Sequence, residues 1–206
     1  SDKNSLNSSI VHTIHEDLEG NIWIGTDQGL NLYNKNLDDF NNSFSDLTKK
    51  KEKFPIHSII NYEKDIFLLG THGNGLFKFD KKNFKYEPVT FKGKGTGGLL
   101  INKIIKSNTG KFLIGTNYGL MIYDVYKNEF QLAKIDIGNE YDYINNSIQS
   151  MILAKDNSIW IGTFSSGLYK LNENDNGVFS IKHFKISEKR ILSLTEKING
   201  NILCGT

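Results

Sequence analysis

Three apolar residues followed by Gly-Thr recur five times along the chain, and no other feature limits its fold so tightly. The copies are Ile22-Trp23-Ile24-Gly25-Thr26, Phe67-Leu68-Leu69-Gly70-Thr71, Phe112-Leu113-Ile114-Gly115-Thr116, Ile159-Trp160-Ile161-Gly162-Thr163 and Ile202-Leu203-Cys204-Gly205-Thr206. Their glycines lie 45, 45, 47 and 43 residues apart, the spacing of one supersecondary unit repeated in tandem. After each of the first four copies a short polar segment leads to Gly-Leu and a second strand-like run: Gly29-Leu30, Gly75-Leu76, Gly119-Leu120 and Gly167-Leu168. A glycine that tolerates positive φ between two apolar runs signals a hairpin. Upstream of the Gly-Thr run lies another strand, residues 10–14 in the first copy, joined to it by turn formers such as Asp17-Leu18-Glu19-Gly20-Asn21 and Ser107-Asn108-Thr109-Gly110-Lys111. A weaker aromatic run closes each unit, at 40–44, 84–86, 130–132 and 179–181.

Four short antiparallel strands per period make a propeller blade, so the expected class is all-β, a β-propeller of four-stranded blades. The Gly-Thr strands are apolar on successive residues, as a strand buried on both faces between neighbouring blades must be. The blades are expected at about 9–47, 54–92, 99–135 and 146–186, with a partial blade at 190–206, in one propeller domain over 1–206. The chain stops after the second strand of the fifth unit, and residues 1–9 are polar and too short to supply the missing two. An open arc of a larger ring is therefore expected, with unpaired strand edges that invite a homodimer or the remaining blades of a longer parent chain.

Charge narrows the partners. Twenty-five basic and 23 acidic residues are spread along the chain, giving a net charge of +2 and no basic stripe for nucleic acid. The densest run, Lys49-Lys50-Lys51-Glu52-Lys53, is short and reads as a solvated loop, with a phosphate site as the alternative. Cys204 is the only cysteine, which excludes an internal disulfide framework and a Cys-rich zinc site. It aligns with Ile24, Leu69, Ile114 and Ile161 and reads as a small core residue, as Trp23 and Trp160 read as packing between blades. No apolar stretch reaches the ~18 residues of a membrane span, so no direct membrane insertion of this segment is expected.

The run Asp17-Leu18-Glu19-Gly20-Asn21-Ile22-Trp23-Ile24-Gly25-Thr26, with Gly29-Leu30-Asn31-Leu32-Tyr33-Asn34 after it, resembles the two-component regulator propeller repeat. The second and third units keep Gly-Thr and Gly-Leu but carry Leu68 and Leu113 in place of the tryptophan, which returns as Trp160. The resemblance implies an extracytoplasmic, periplasmic sensing segment of a bacterial sensor histidine kinase, often a hybrid one that regulates glycan use. An oligosaccharide or other small-molecule signal would be its ligand, and the signalling chemistry would lie elsewhere in the parent chain. Similar repeats occur in propeller lyases acting on antibiotic lactones, and propellers also serve as protein-interaction scaffolds. Both stand as alternatives.

In a propeller the first strand of each blade lines the channel, and the loops between second and third strands gather at one mouth. Thirteen residues before each repeat glycine stand His12, His57, Asn102, Gln149 and Leu192, four of them polar. His12, His57, Asn102 and Gln149 are candidates for a hydrogen-bonding ring, the alternative being that they hold channel waters or cap backbone. A second set comes from the loops: Asp27, His72, Asn74, Tyr118 and Phe164 could stack on or hydrogen-bond a sugar, or serve only as turn residues. Tyr141 and Tyr143, in the connection Asn139-Glu140-Tyr141-Asp142-Tyr143, are expected at the same mouth. No catalytic residue, cofactor or metal is expected, because His12 and His15 lie three apart on a strand and point to opposite faces. No H-E-x-x-H, G-x-S-x-G, Walker or Rossmann signature is present. A lyase would have to rely on His57 with His183 or Glu140.

Overall fold

The computed structural model describes residues 4–42, 54–91, 94–95, 97–126, 129–133, 135–136, 141–142, 144, 146–174, 178–184, 186 and 189–206. Two compact units divide the chain, Ser1–Ile101 and Asn102–Thr206. The basic run 49–53 lies outside the described residues.

The first unit holds two four-stranded antiparallel blades. Blade 1 comprises β1 (Val11–Glu16), β2 (Ile22–Thr26), β3 (Gly29–Asn34) and β4 (Asp39–Asn41), paired in chain order. Blade 2 comprises β5 (Ile56–Glu63), β6 (Ile66–Thr71), β7 (Leu76–Asp80) and β8 (Lys85–Pro88), followed by a small hairpin of β9 (Thr90–Phe91) and β10 (Lys94–Gly95). In the second unit, blade 3 comprises β11 (Ile101–Lys106), β12 (Phe112–Thr116), β13 (Gly119–Asp124) and β14 (Glu129–Leu132). Two short strands follow, β15 (Ile135–Asp136) and β16 (Tyr141–Asp142). Blade 4 comprises β17 (Ile148–Leu153), β18 (Ile159–Thr163), β19 (Leu168–Glu173) and β20 (Phe179–Phe184), and β21 (Ser193–Glu196) with β22 (Ile202–Gly205) begins a fifth. No helix of the described residues is long and apolar enough to cross a membrane.

The repeat motif has a physical reason at each residue. The threonine of Gly-Thr is fully buried in the first four copies and closes the turn that follows. Thr26, Thr71, Thr116 and Thr163 each donate from Oγ1 to the carbonyl of the next glycine, Gly29, Gly75, Gly119 or Gly167, at 2.7–3.0 Å. The same oxygens accept from backbone N–H groups of Gln28, Tyr118 and Ser166. The receiving glycines sit at φ between 80° and 117°, a region where a Cβ is strained.

The motif glycine is required for a different reason. A Cβ on Gly25 would stand 2.5 Å from the carbonyl oxygen of Ile56, the first residue of the next blade's β5. One on Gly115 would meet Ile148 Cγ2 at 2.6 Å, and one on Gly162 would meet Ile191 Cγ2 at 2.5 Å. Each absent side chain is thus the seat of a β-branched residue from the following blade, and the repeat encodes contact between blades as well as the turn.

Each unit buries its own core between blades. The first is rich in aromatics: Trp23 meets Phe67 and Phe79 edge-on at 5.3 and 5.7 Å. The second is mostly aliphatic, built from Leu113, Ile122, Ile148, Ile159, Ile161 and their neighbours. Trp160, by contrast, is only half-buried, stacked on Phe184 at 5.3 Å with Lys170 over its ring. Among the described residues β22 pairs with β21 alone, and Cys204, which aligns with the buried Ile24, Leu69, Ile114 and Ile161, is exposed there instead of buried.

Polar clasps join neighbouring blades at the end away from the Gly-Thr turns. In the first unit the buried Asp17 carboxylate accepts from Trp23 Nε1 and Lys81 Nζ, both at 3.0 Å, and from the backbone N–H groups of Glu19 and Asn21. Burial alone raises a carboxyl pKa, but the donors of Trp23, Asn21 and Lys81 outweigh it and hold Asp17 well below its usual range. In the second unit the charge order reverses: Thr109 and Lys111 of blade 3 reach the buried Glu173 of blade 4 at 2.7 and 3.3 Å.

Candidate functional site at the bulged first strands

A β-bulge sits in the first strand of blades 1, 2 and 4 at the same place. Thr26 pairs Val11 and Gly25 pairs Thr13, which leaves His12 as the extra residue. The same shift leaves out His57 between Ile56 and Ser58, and Gln149 between Ile148 and Ser150. A bulge re-aims the side chain it carries and commonly marks functional edges. The residue after each Gly-Thr is tied beside it: Asp27, His72 and Phe164 donate their backbone N–H to the carbonyls of Ile10, Pro55 and Ser147, each two residues before the bulge. Three members of the first-strand set and three of the loop set are therefore brought together in pairs, His12/Asp27, His57/His72 and Gln149/Phe164.

In the first unit these pairs form a column. His12 Nε2–H donates to Asp27 Oδ1 at 2.5 Å, since a carboxylate can only accept. The His12 ring stacks on His57 with centroids 3.8 Å apart and planes 21° apart, and His57 stacks on His72 at 4.7 Å and 11°. Burial, then the neighbouring His12 and His72, lowers the His57 pKa to about 4, against an opposing pull from Asp27. Ligand atoms of His12, Asp27 and His57 all lie within 4.8 Å of one another. Asn74, two residues after His72, is exposed.

The second unit uses the equivalent positions otherwise. Asn102 Nδ2 donates to the Ile148 carbonyl of the next blade at 2.7 Å, and Gln149 Nε2 donates to Ser147 Oγ at 2.9 Å. These two amides are occupied by nearby groups and do not bond each other. Tyr118 and Phe164 stand out from the loops, 62% and 48% exposed, with the Arg190 guanidinium 4.8 Å above the Phe164 ring. Beside Phe164 an open hollow of about 400 Å³ is lined by Ser165, Ser166, His183, Ile186 and Lys189. His183 Nε2–H donates to the Ser166 carbonyl at 2.6 Å, and Asn146 Nδ2 reaches both serine hydroxyls at 2.8 Å.

Tyr141 does not lie at this end. Its strand β16 pairs with β15, and β15 runs parallel to β20 at Phe179 and Ser180, whereas the Gly-Thr turn of blade 4 is at the Leu168–Phe184 end. Strand pairing along the outer edge overrides the expectation that the connection stays at the mouth. Tyr143 and Glu140 lie outside the described residues. Asn146, Lys189 and Arg190 were missed by sequence reasoning. Their signal was position, since each lies two to four residues before a first strand and so enters at the turn end.

Two stretches, residues 5–28 and 142–165, match the family model described as "Two component regulator propeller". In these two stretches the repeat is that of the two-component regulator propeller. Both stretches end at a Gly-Thr turn, so the matched repeat contains the bulge and the loop residue paired with it. No curated protein matches the sequence. Among solved structures, the chain is similar over its whole length to the protein named as the extracellular domain of the hybrid two component system BT3049 from B. thetaiotaomicron, at 20% identity and TM-score 0.75. It spans 26% of that chain. It is also similar to PorZ, a surface component of the type-IX secretion system of Porphyromonas gingivalis, at 15% identity and TM-score 0.72, covering 100% of this chain and 32% of PorZ. Virginiamycin B lyase from Staphylococcus aureus shares 12% identity over 98% of this chain and 65% of the lyase, with TM-score 0.66. At these identities the shared property is the propeller fold.

Proposed function

We propose that this chain is a ligand-sensing segment of the extracytoplasmic propeller of a two-component receptor, and that its signal is a glycan. The matched repeat supports the receptor class. The observation that carries the ligand class is the loop end of blade 4, where an exposed aromatic ring, an arginine and a hollow lined by two hydroxyls, an imidazole and a lysine stand together. Sugars combine apolar C–H faces with dense hydroxyls, and an aromatic face flanked by fixed donors and acceptors suits both. His57 is stacked on two other imidazoles and His183 is committed to the Ser166 carbonyl, so this reading assigns no acid–base step to either.

Calorimetric titration of the untagged chain, in EDTA, with a panel of neutral and uronic-acid oligosaccharides tests the reading. Saturable binding by at least one glycan, weakened tenfold or more by Phe164→Ala and by Lys189→Ala, is the expected result. Absence of binding across the panel, or binding indifferent to both substitutions, overturns it.

A further inference from the structure

The histidine column of the first unit has a role that the glycan reading does not use. We propose that His12, Asp27 and His57 form a three-ligand site for a divalent transition metal of the Zn²⁺ class, bridging blades 1 and 2.

Several independent observations converge on this site. The donors come from three separate elements: the bulge of β1, the bulge of β5 in the next blade, and the turn after β2. Each bulge aims its imidazole to the same end, and the Asp27 N–H bond to Ile10 holds the carboxylate beside His12. All three ligand atoms already lie within 4.8 Å of one another. Metal–ligand bonds of about 2.0–2.2 Å place ligands roughly 3.0–3.5 Å apart, so the widest pair must close by up to about 1.3–1.8 Å, one of the two stacked rings must turn so that both in-plane lone pairs meet at the metal, and His12 and Asp27 must open slightly as their shared proton leaves. Their side chains are 21% and 34% exposed, which leaves room for that adjustment.

The homologous positions sharpen the argument. Where the bulge carries an amide, the amide is satisfied by its surroundings, as Gln149 is by Ser147. Among the described residues the ring nitrogens of His57 make no hydrogen bond, although the ring is half-buried and packed face-on against His12. Packing alone does not call for an imidazole there, whereas metal binding does. Imidazole and carboxylate together suit Zn²⁺, Ni²⁺ or Cu²⁺ and compete poorly for Mg²⁺ or Ca²⁺. Three protein ligands leave one coordination position open to water or to an oxygen donor.

The test is titration of the untagged, EDTA-stripped chain with ZnCl₂ by calorimetry and with CoCl₂ by visible absorption. The expected result is one metal per chain, unaffected by millimolar Mg²⁺, with a cobalt d–d band and a raised melting temperature. His57→Gln and Asp27→Asn should each weaken binding at least tenfold, while Cys204→Ser leaves it unchanged. Circular dichroism of the metal-free variants separates lost ligands from lost fold, and His12→Gln supplies a further ligand deletion. Failure of Zn²⁺ and Co²⁺ to bind at one per chain, full binding in the folded ligand variants, or loss of binding in Cys204→Ser overturns the proposal. The glycan titration is done in EDTA, so either proposal can fail alone.

Discussion

Replacing Gly25 by alanine isolates the contact between blades. The new Cβ would lie 2.5 Å from the Ile56 carbonyl oxygen, 2.7 Å from Thr13 Cγ2 and 2.9 Å from Ile56 Cγ2, where ordinary contact begins at 3.4 Å. A backbone oxygen cannot rotate away, so β5 must move off β2 and disturb the core around Trp23. Overpacking of this kind costs about 1–3 kcal/mol, and with backbone on one side the upper end, about 3 kcal/mol, is expected. For a chain of 206 residues that lowers the melting temperature by about 6–12 °C. Two controls separate the causes. Gly97 has nothing within 4 Å and no positive φ, so Gly97→Ala should change stability by less than about 0.5 kcal/mol or raise it slightly. Gly110 also faces open space but has φ +86°, and its alanine variant should lose about 1 kcal/mol through backbone strain alone. Urea unfolding followed by tryptophan fluorescence measures all three. Should Gly25→Ala unfold with Gly97→Ala, or Gly110→Ala cost as much as Gly25→Ala, the account of the repeat glycine as a seat for the next blade is wrong.

Asp17→Ala takes the buried carboxylate from Lys81 Nζ and Trp23 Nε1, leaving Lys81 only the more distant Glu19 carboxylate at 3.9 Å as a counter-charge, and should destabilise the chain by about 3 kcal/mol in the same urea assay. Lys81→Met leaves the carboxylate with its other donors and should cost clearly less. Thr116→Val leaves the Tyr118 N–H without its acceptor and should cost about 1–2 kcal/mol, which Thr116→Ser largely restores. In EDTA, His57 stays neutral in the folded chain down to about pH 4 while its unfolded form protonates near 6.5. The unfolded state therefore binds the extra proton between these values, and stability falls with acid by up to about 3 kcal/mol across that window. His57→Gln should flatten the pH dependence there by about one proton, measured by urea midpoints from pH 4 to 7.

The four-stranded antiparallel pairing of each blade and the hairpin turns were legible because each depends on groups close in sequence, whereas the added strands β9, β10, β15 and β16 were not. Thr26 and Gly29, or Asp17 and Asn21, meet within one turn, and their chemistry is written in the residues that make it. The candidate site was half legible. Its residue types stood out at a fixed offset from each repeat glycine, but they read as two separate sets. The bulge that joins them arises from pairing between strands, which the offset alone does not reveal. The outward position of Tyr141 was invisible for a related reason, since a parallel pairing to β20 joins segments more than 40 residues apart.

By itself, then, the sequence determined the repeating four-stranded unit, because turn closure and burial on both faces of a strand act over a few residues and recur with the motif. Tertiary structure alone decided which side chains of successive repeats meet. His12 reaches His57 and Asp17 reaches Lys81 only after one blade has docked on the next, and that docking is set by shape at Gly25 and Ile56 instead of by any local preference.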